Sequence, residues 1–313
     1  MRWWLALSVC LAGCPPPPVA EPQPTGGGGG FVQSQPAQPR LDDSLVEFRF
    51  EGGHIDFELW RQGSRVTQFA RNRYAVPIVL RWSFASYDNL TPLTPVEGVI
   101  VLPPADKPSG TSQSVVLAEL EVIDPLVRYR RDLQYRAKFG DPRARPEPYA
   151  YRLPYPSGLT FSVLQGFHGT FSHRGSNEFA VDFDCPVATP VLAARDGTVI
   201  AYNAAAQGAG TTPEFLDYKR TNFVLVLHED GTVGEYMHLS PSGIEVKPGQ
   251  RVARGTRLAL SGNTGFSSTP HLHFQVMTAG EDGASVQSFP FRLAAKPKRV
   301  EEPVQGRRYS AWE

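Results

Sequence analysis

Apolar and polar residues alternate over short runs in the second half of the chain, and this two-residue period predicts β-strands. In residues 270–276, Pro-His-Leu-His-Phe-Gln-Val, the two histidines fall on one face of the predicted strand. Leu272 and Phe274 fall on the other face and are expected to pack inward. His271 and His273 then share one pocket.

A second predicted strand, residues 179–183, carries a carboxylate on its polar face. Its apolar residues Phe179, Val181 and Phe183 share one face, while Asp182 lies on the opposite face, which Asp184 also shares. A pocket next to this strand would therefore contain a potential metal ligand.

Histidines are concentrated near these two strands. Of the seven in the chain, five lie beside Gly-containing turns: His168, His173, His238, His271 and His273. His173 precedes the strand at 179–183, and His238 ends the run 233–239. His168 is predicted to be an ordinary surface residue, with a position along the cleft as the alternative. His54 and His228 are predicted to play no part in the site.

Four motifs in this half of the chain resemble the LytM/lysostaphin-type zinc endopeptidases, which cut peptidoglycan peptides. The resemblance covers roughly residues 151–290. The motifs are SHRGSNEFAVDF (172–183), Thr189-Pro190-Val191 through Asp-Gly-Thr-Val (196–199), Tyr-Met-His-Leu (236–239) and SGNTGFSSTPHLHF (261–274). Two features depart from the family pattern: Ala188, where a glycine is more common, and a polar insertion at 203–221.

The resemblance implies one zinc ion per chain, with His173, Asp182 and His273 as its ligands and His238 and His271 as catalytic histidines that do not bind the metal. Two neutral imidazoles and one carboxylate leave the fourth position of zinc open, as in catalytic sites. A water bound there would have a pKa of about 7. The family further implies an antiparallel sheet of the half-barrel type, built from a duplicated hybrid motif.

Three alternatives compete with a peptidoglycan endopeptidase. A cupin-type oxygenase also has a His-x-His strand, but it would place a glutamate a few residues later, and no acid precedes Glu281 here. Histidines that merely pack would not explain five polar rings among Gly and Ser turns. The main alternative is a catalytically silent family member that binds peptidoglycan or activates a wall amidase. Silent members usually lack one of the five site residues, and this chain has all of them.

The first residues predict export and anchoring. A single arginine and a short apolar stretch in residues 1–13 are typical of a signal peptide, and Leu-Ala-Gly before Cys14 resembles a bacterial lipobox. Cys14 is the predicted lipidation site, and residues 14–43 are a predicted Pro/Gly-rich linker. The protein is then expected on the periplasmic side of a membrane, with the outer membrane favoured.

Residues 44–147 are predicted to form a second domain, a β-sandwich of immunoglobulin-like type. Its expected strands are apolar or alternating runs at 54–59, 76–82, 98–102, 115–120 and 129–139. The last run has a basic face, which is predicted to be solvated, with contact to an anionic wall polymer as the alternative. Residues 148–290 form the predicted zinc endopeptidase domain, and 291–313 a trailing C-terminal segment.

Composition adds few constraints. The 313 residues carry a formal net charge of zero, so nothing argues for nucleic-acid binding. Once Cys10 is removed with the signal peptide and Cys14 is modified, Cys185 is left without a disulfide partner and is expected to be a small buried packing group. The sequence leaves the oligomeric state open.

Overall fold

A computed structural model describes residues 37–296 and 299–312. The predicted signal peptide, Cys14 and the linker as far as residue 36 lie outside the described residues. Within the described ranges no helix has the length and apolar character needed to cross a membrane. The fold there is mostly β-structure, which confirms the predicted class. Three short 3-10 helices interrupt it: Gly175–Asn177, Pro213–Leu216 and Tyr218–Arg220.

Eight strands form the N-terminal part of the described chain, and each of the five predicted runs overlaps one of them. They are β1 (Arg40–Phe50), β2 (Gly53–Gln62), β3 (Arg65–Asn72), β4 (Ile78–Asp88), β5 (Leu90–Pro92), β6 (Glu97–Leu102), β7 (Val115–Val122) and β8 (Arg130–Phe139). Strand β1 begins at Arg40, four residues before the predicted boundary at residue 44.

These strands make two sheets. One has the order β1-β2-β3-β7-β5 and the other the order β6-β4-β8. Alternate side chains of both sheets, including Phe57, Leu80 and Leu120, are fully buried in one apolar cluster. Two sheets around a core agree with a sandwich, while the immunoglobulin-like type stays a prediction.

Sixteen strands form the C-terminal part. They are β9 (Ala150–Tyr151), β10 (Thr160–Gln165), β11 (Val181–Phe183), β12 (Pro190–Leu192), β13 (Gly197–Asn203), β14 (Ala209–Gly210), β15 (Phe223–Leu227), β16 (Val233–Met237), β17 (Arg251–Val252), β18 (Arg257–Leu260), β19 (Gly265–Phe266), β20 (Leu272–Ala279), β21 (Val286–Phe289), β22 (Arg292–Lys296), β23 (Arg299–Glu301) and β24 (Arg308–Ser310).

Nine of these strands form the main sheet, in the order β17-β13-β15-β16-β20-β11-β10-β24, with β21 paired to β20. All the pairings in this sheet are antiparallel, and β20 lies between β16 and β11. The central strands therefore bring distant parts of the sequence side by side.

The predicted strand at 179–183 is shorter than expected, because β11 begins only at Val181. The amide of Ala180 donates to Asn177 O at 2.9 Å, which keeps the preceding residues in a turn. Phe179 lies outside the strand and packs edge-on against Phe167. Asp184 lies beyond the strand and is exposed.

The segment after Phe291, which was predicted to trail along a domain surface, contributes strands to two sheets. Strand β22 pairs with β9 and β23, and β24 extends the main sheet beyond β10. Tyr309 on β24 is buried, and its carbonyl accepts a hydrogen bond from Tyr155 Oη at 2.8 Å.

The N-terminal part packs directly on one face of the main sheet. The apolar cluster of the sandwich continues into Ile200, Phe223 and Met277 of that sheet. Phe50 at the end of β1 contacts the Phe223 ring, with 5.2 Å between centroids. This continuous core fixes the sandwich against the sheet that carries the histidines.

Candidate metal centre

Strand register brings the first two potential ligands together. Asp182 on β11 lies directly opposite His273 on β20, and both side chains are buried. His273 Nδ1 lies 2.9 Å from Asp182 Oδ1. Directly opposed residues on antiparallel strands have Cβ atoms about 4.5–5.5 Å apart, so the pairing alone puts these groups within reach.

His173 reaches the same carboxylate from the turn before β11. Its Nδ1 donates to Gly166 O at 2.8 Å, and its Nε2 lies 3.1 Å from Asp182 Oδ2. The ring is completely buried. His173, Asp182 and His273 are the group of side chains within the described residues whose ligand atoms converge closely enough to hold a metal ion.

The chemistry of these atoms fits a cation. Gly166 O can only accept, so the neutral His173 ring carries its proton on Nδ1 and has a lone pair on Nε2. That lone pair faces a carboxylate oxygen, which is also an acceptor, and Nε2 has no hydrogen-bond partner. In tetrahedral zinc sites with bonds of about 2.0–2.1 Å, neighbouring ligand atoms lie about 3.3 Å apart, close to the distances found here. The residues present therefore fit a zinc ion.

Electrostatics keep the carboxylate ionised. Burial raises the pKa of Asp182, but the hydrogen bond from His273 Nδ1 and the surrounding imidazoles outweigh burial, and the pKa lies well below its ordinary value. Burial lowers the pKa of His273, and the Asp182 carboxylate reverses this, so its pKa is raised. A negative group thus persists in the pocket at neutral pH and favours bound positive charge.

The other two predicted histidines lie beside this cluster. His271 Nε2 is 3.6 Å from Asp182 Oδ1, and the His238 ring centroid is 4.5 Å from that of His271. The Nδ1 atoms of His238 and His271 are 2.7 and 2.8 Å from the carbonyl oxygens of Thr264 and Thr269. Each neutral ring therefore has its free lone pair on Nε2, where it can accept a proton.

Local backbone conformation directs His238 into the cleft. It follows the last residue of β16 and has a φ of +63°. Few residues other than glycine adopt this left-handed conformation, although histidine does so more often than most. Burial and the neighbouring imidazoles lower the pKa of His238 to about 3, so the ring is neutral.

Gln165 is a site residue that sequence reasoning missed. Its Nε2 donates to Asp182 Oδ2 at 3.0 Å and to Ser172 Oγ at 2.8 Å. Its Oε1 accepts from the amides of Phe171 and Ser172, next to His173. One side chain thus orients the carboxylate and holds the turn that carries a histidine. It lies in the Gln-Gly-Phe-His segment, but glutamine is not a usual zinc ligand, so its residue type does not mark it as part of a metal site.

Four of the five site residues, Asp182, His238, His271 and His273, line a cleft of about 650 Å³, and His173 is buried behind them. Phe171 and Phe266 stack at its rim, and the insertion at 203–221 adds Phe215, Leu216 and Tyr218 to its wall. The insertion therefore shapes the cleft beside the histidines. Lys138 of strand β8 also lines it, so the N-terminal part contributes to the same cleft.

The remaining singled-out residues lie elsewhere. His168 pairs with Glu178 at 3.1 Å near the surface, His54 pairs with Asp56, and His228 is buried against Thr232. Cys185 is buried in the apolar cluster of the main sheet, as predicted. Ala188 has a φ of +68°, which explains why glycine suits this position.

Comparisons with known proteins point to one family. Residues 176–286 match the family model described as Peptidase family M23. The peptidoglycan DD-endopeptidase ShyA of Vibrio cholerae is 30% identical over 173 residues, which cover 54% of this chain and 36% of that protein. The glycyl-glycine endopeptidase ALE-1 of Staphylococcus capitis is 35% identical over 144 residues, which cover 45% of this chain and 32% of that protein.

Among solved structures, the catalytic domain of lysostaphin from Staphylococcus simulans is 29% identical, with 45% of this chain and 85% of that chain covered and a TM-score of 0.28. The chain spans about a third of the length of the two curated relatives. The matched residues include Asp182, His238, His271 and His273, while His173 lies just before them. The resemblance to LytM/lysostaphin-type peptidases is thus supported, since residues 176–286 are similar to peptidase family M23.

Proposed function

We propose that this protein is a zinc-dependent endopeptidase that hydrolyses peptide cross-links of peptidoglycan. The observation that carries the proposal is the buried cluster of His173, Asp182 and His273 at the end of an open cleft. The match of residues 176–286 to peptidase family M23 and the endopeptidase names of the similar proteins support it. The cleft supplies the room that an extended peptide needs beside the cluster.

His173, Asp182 and His273 would hold the zinc ion, one per chain. When bound, zinc supplies a Lewis acid that polarises a carbonyl and lowers the pKa of water. The protein fixes the ligands from behind: Gly166 O orients His173, and Gln165 orients Asp182. Such outer contacts set the ring tautomer and the carboxylate orientation.

His238 and His271 would move protons and stabilise negative charge on the peptide carbonyl oxygen. Both rings are held through Nδ1, so each Nε2 can take a proton from the attacking water and later donate it to the leaving amine. Cleavage of a peptide bond needs both transfers. The two ring centroids lie 4.5 Å apart, which suits a shared task.

The site of action would be the cell envelope. The lipobox-like tetrapeptide ending at Cys14 supports a lipid anchor, with the protein facing the periplasm and the outer membrane favoured. Labelling of cells with a fatty-acid analogue should mark the wild-type protein and leave the Cys14→Ser variant unmarked. A wild-type protein that takes up no label would contradict the proposed lipid anchor.

The activity is tested with the zinc-loaded full chain and purified cross-linked muropeptides, read by mass spectrometry. His238→Ala and His271→Ala should keep the zinc and lose about 10²–10⁴-fold in the rate of hydrolysis, because proton transfer and oxyanion stabilisation each contribute that much. A wild-type protein that binds zinc and wall peptides but releases no product would instead be the silent binding or activating member.

A further inference from the structure

The cleft extends beyond the metal centre along the central strands of the main sheet. Gln275 follows His273 on the same face of β20, and Glu235 of β16 lies directly opposite Gln275. Both side chains are buried and line the cleft. Two strand residues span about 7 Å, so this second region lies about two peptide residues from the metal centre.

The carboxylate in this region already has its partners. Tyr218 Oη and Gln275 Nε2 each donate to one oxygen of Glu235, both at 2.5 Å. The other polar atom of Gln275, Oε1, is buried without a hydrogen-bond partner. Glu235 therefore fixes the carboxamide of Gln275 and leaves its acceptor unused.

Lys138 reaches the same region from the N-terminal part. Its neighbour Phe139 is buried in the shared apolar cluster, and Thr278 Oγ1 donates to Asp141 O at 2.7 Å. Gly140 packs so closely on β20 that a Cβ atom there would lie 2.4 Å from Thr278 Oγ1. Contacts on the C-terminal side of Lys138 thus hold its backbone at a fixed position beside the cleft.

The ammonium group of Lys138 has no ion pair within 4 Å and no hydrogen bond among residues 37–296 and 299–312, although the residue is half-buried. Burial lowers the pKa of Lys138, while the nearby Glu235 carboxylate favours its charged form. A lysine in such surroundings gains from a partner that supplies negative charge. Solvent-facing lysines need no such partner.

We infer that Lys138 binds a free carboxylate of the peptide substrate, on a residue about two positions from the bond that is cleaved. The inference rests on the proposed function and narrows its substrate to acidic peptides. The adjacent Gln275 carboxamide retains an acceptor for an N–H group, so an acylamino carboxylate has the matching chemistry. A carboxylate of this kind is either the terminal α-carboxylate of a peptide or the unlinked carboxylate of a diamino acid side chain.

The test compares three versions of one cross-linked peptide: both carboxylates free, only the terminal carboxylate amidated, and only the side-chain carboxylate amidated. With wild-type protein, one of the two amidations should lower kcat/KM by about 10- to 100-fold, the range for a lost charge-assisted hydrogen bond. The amidation that lowers kcat/KM identifies the carboxylate that binds Lys138. Equal rates on all three peptides would overturn the inference.

Lys138→Met keeps the length of the side chain and removes the charge. It should lower kcat/KM for the free peptide by the same factor and abolish the response to amidation, mainly through KM. Arg136→Met is the matched control, because Arg136 lies on the same strand face but is exposed and does not line the cleft. If both variants lose discrimination equally, general electrostatic attraction accounts for the effect and the subsite does not exist.

Binding separates this inference from the proposed function. Titration calorimetry with the free and amidated peptides is performed on the zinc-loaded wild type and on Lys138→Met. Preferential binding of the free carboxylate by wild type alone supports the subsite even if no peptide is cleaved. Cleavage without such a preference would retain the endopeptidase and remove Lys138 from recognition.

Discussion

Gln165→Leu should weaken zinc binding although residue 165 cannot touch the metal. The glutamine donates to Asp182 and accepts from two backbone amides beside His173, so it holds two of the three predicted ligands. Leucine has similar volume and can form none of these hydrogen bonds. Loss of contacts behind metal ligands typically costs 10- to 100-fold in affinity.

This range corresponds to about 1.4–2.7 kcal/mol and agrees with the contact that is lost, because one hydrogen bond to a charged carboxylate is worth about 1.5–3 kcal/mol. The expected dissociation constant for zinc is therefore about 10- to 100-fold higher than in the wild type. Competition against a chromophoric chelator measures it, and circular dichroism shows whether the fold is kept.

Two control variants sharpen the comparison. Ser172→Ala removes one acceptor of Gln165 and leaves the contact with Asp182, so it should change zinc affinity by about fivefold, since a neutral hydrogen bond contributes about 1 kcal/mol. Gln305→Leu changes an exposed glutamine that lines the same cleft and should have no effect. Wild-type affinity in Gln165→Leu would refute the view that this side chain orients the ligands.

Two further predictions concern stability. Ala188→Gly should raise the melting temperature by about 1–3 °C. Removing the strain of an alanine in the left-handed conformation stabilises the folded state by about 1–2 kcal/mol, whereas the greater entropy of glycine in the unfolded chain costs only about 0.4–1 kcal/mol. A lower melting temperature in calorimetry would contradict this prediction. At Asp230, burial raises the pKa, but hydrogen bonds from Thr232, the Glu147 amide and Arg195 bring it from 3.8 to about 2. The folded pKa is depressed, so this stabilisation, about 2 kcal/mol, is complete well above pH 3.8 and is lost as the pH falls towards 2. The difference in unfolding free energy between wild type and Asp230→Asn should therefore be about half as large at pH 3 as at pH 7 in urea titrations, and an unchanged difference would contradict the assignment.

Alternation along the sequence was enough to predict that His273 on β20 and His271 just before it share one side. His271 and His273 face the cluster, while Leu272 and Phe274 are buried in the core on the other side. The alternation says nothing about which strand lies next to β20. That Asp182 pairs with His273 depends on the register between strands separated by 90 residues of chain. Only the family resemblance linked the two as ligands.

The groups that orient the histidines were beyond the reach of sequence reasoning. Gly166, Thr264 and Thr269 contribute backbone carbonyls, which every residue has, so no residue type marks them. The left-handed conformation of His238 is equally invisible, because histidine tolerates it without requiring it. These contacts decide which ring nitrogen is free, and therefore what each histidine can do.

The packing of the sandwich on the main sheet does leave a trace in the sequence. Strand β15 reads Phe-Val-Leu-Val-Leu, apolar at every position, and such a strand must be covered on both faces. Val224 and Val226 are buried in the core of the C-terminal part, whereas Phe223 and Leu225 are buried under the N-terminal part. If one face of β15 were solvated, apolar and polar residues would alternate along the strand. The sequence of β15 therefore predicts that both of its faces are buried, but not which segment buries the second face. That segment is the N-terminal part, which also brings Lys138 to the cleft.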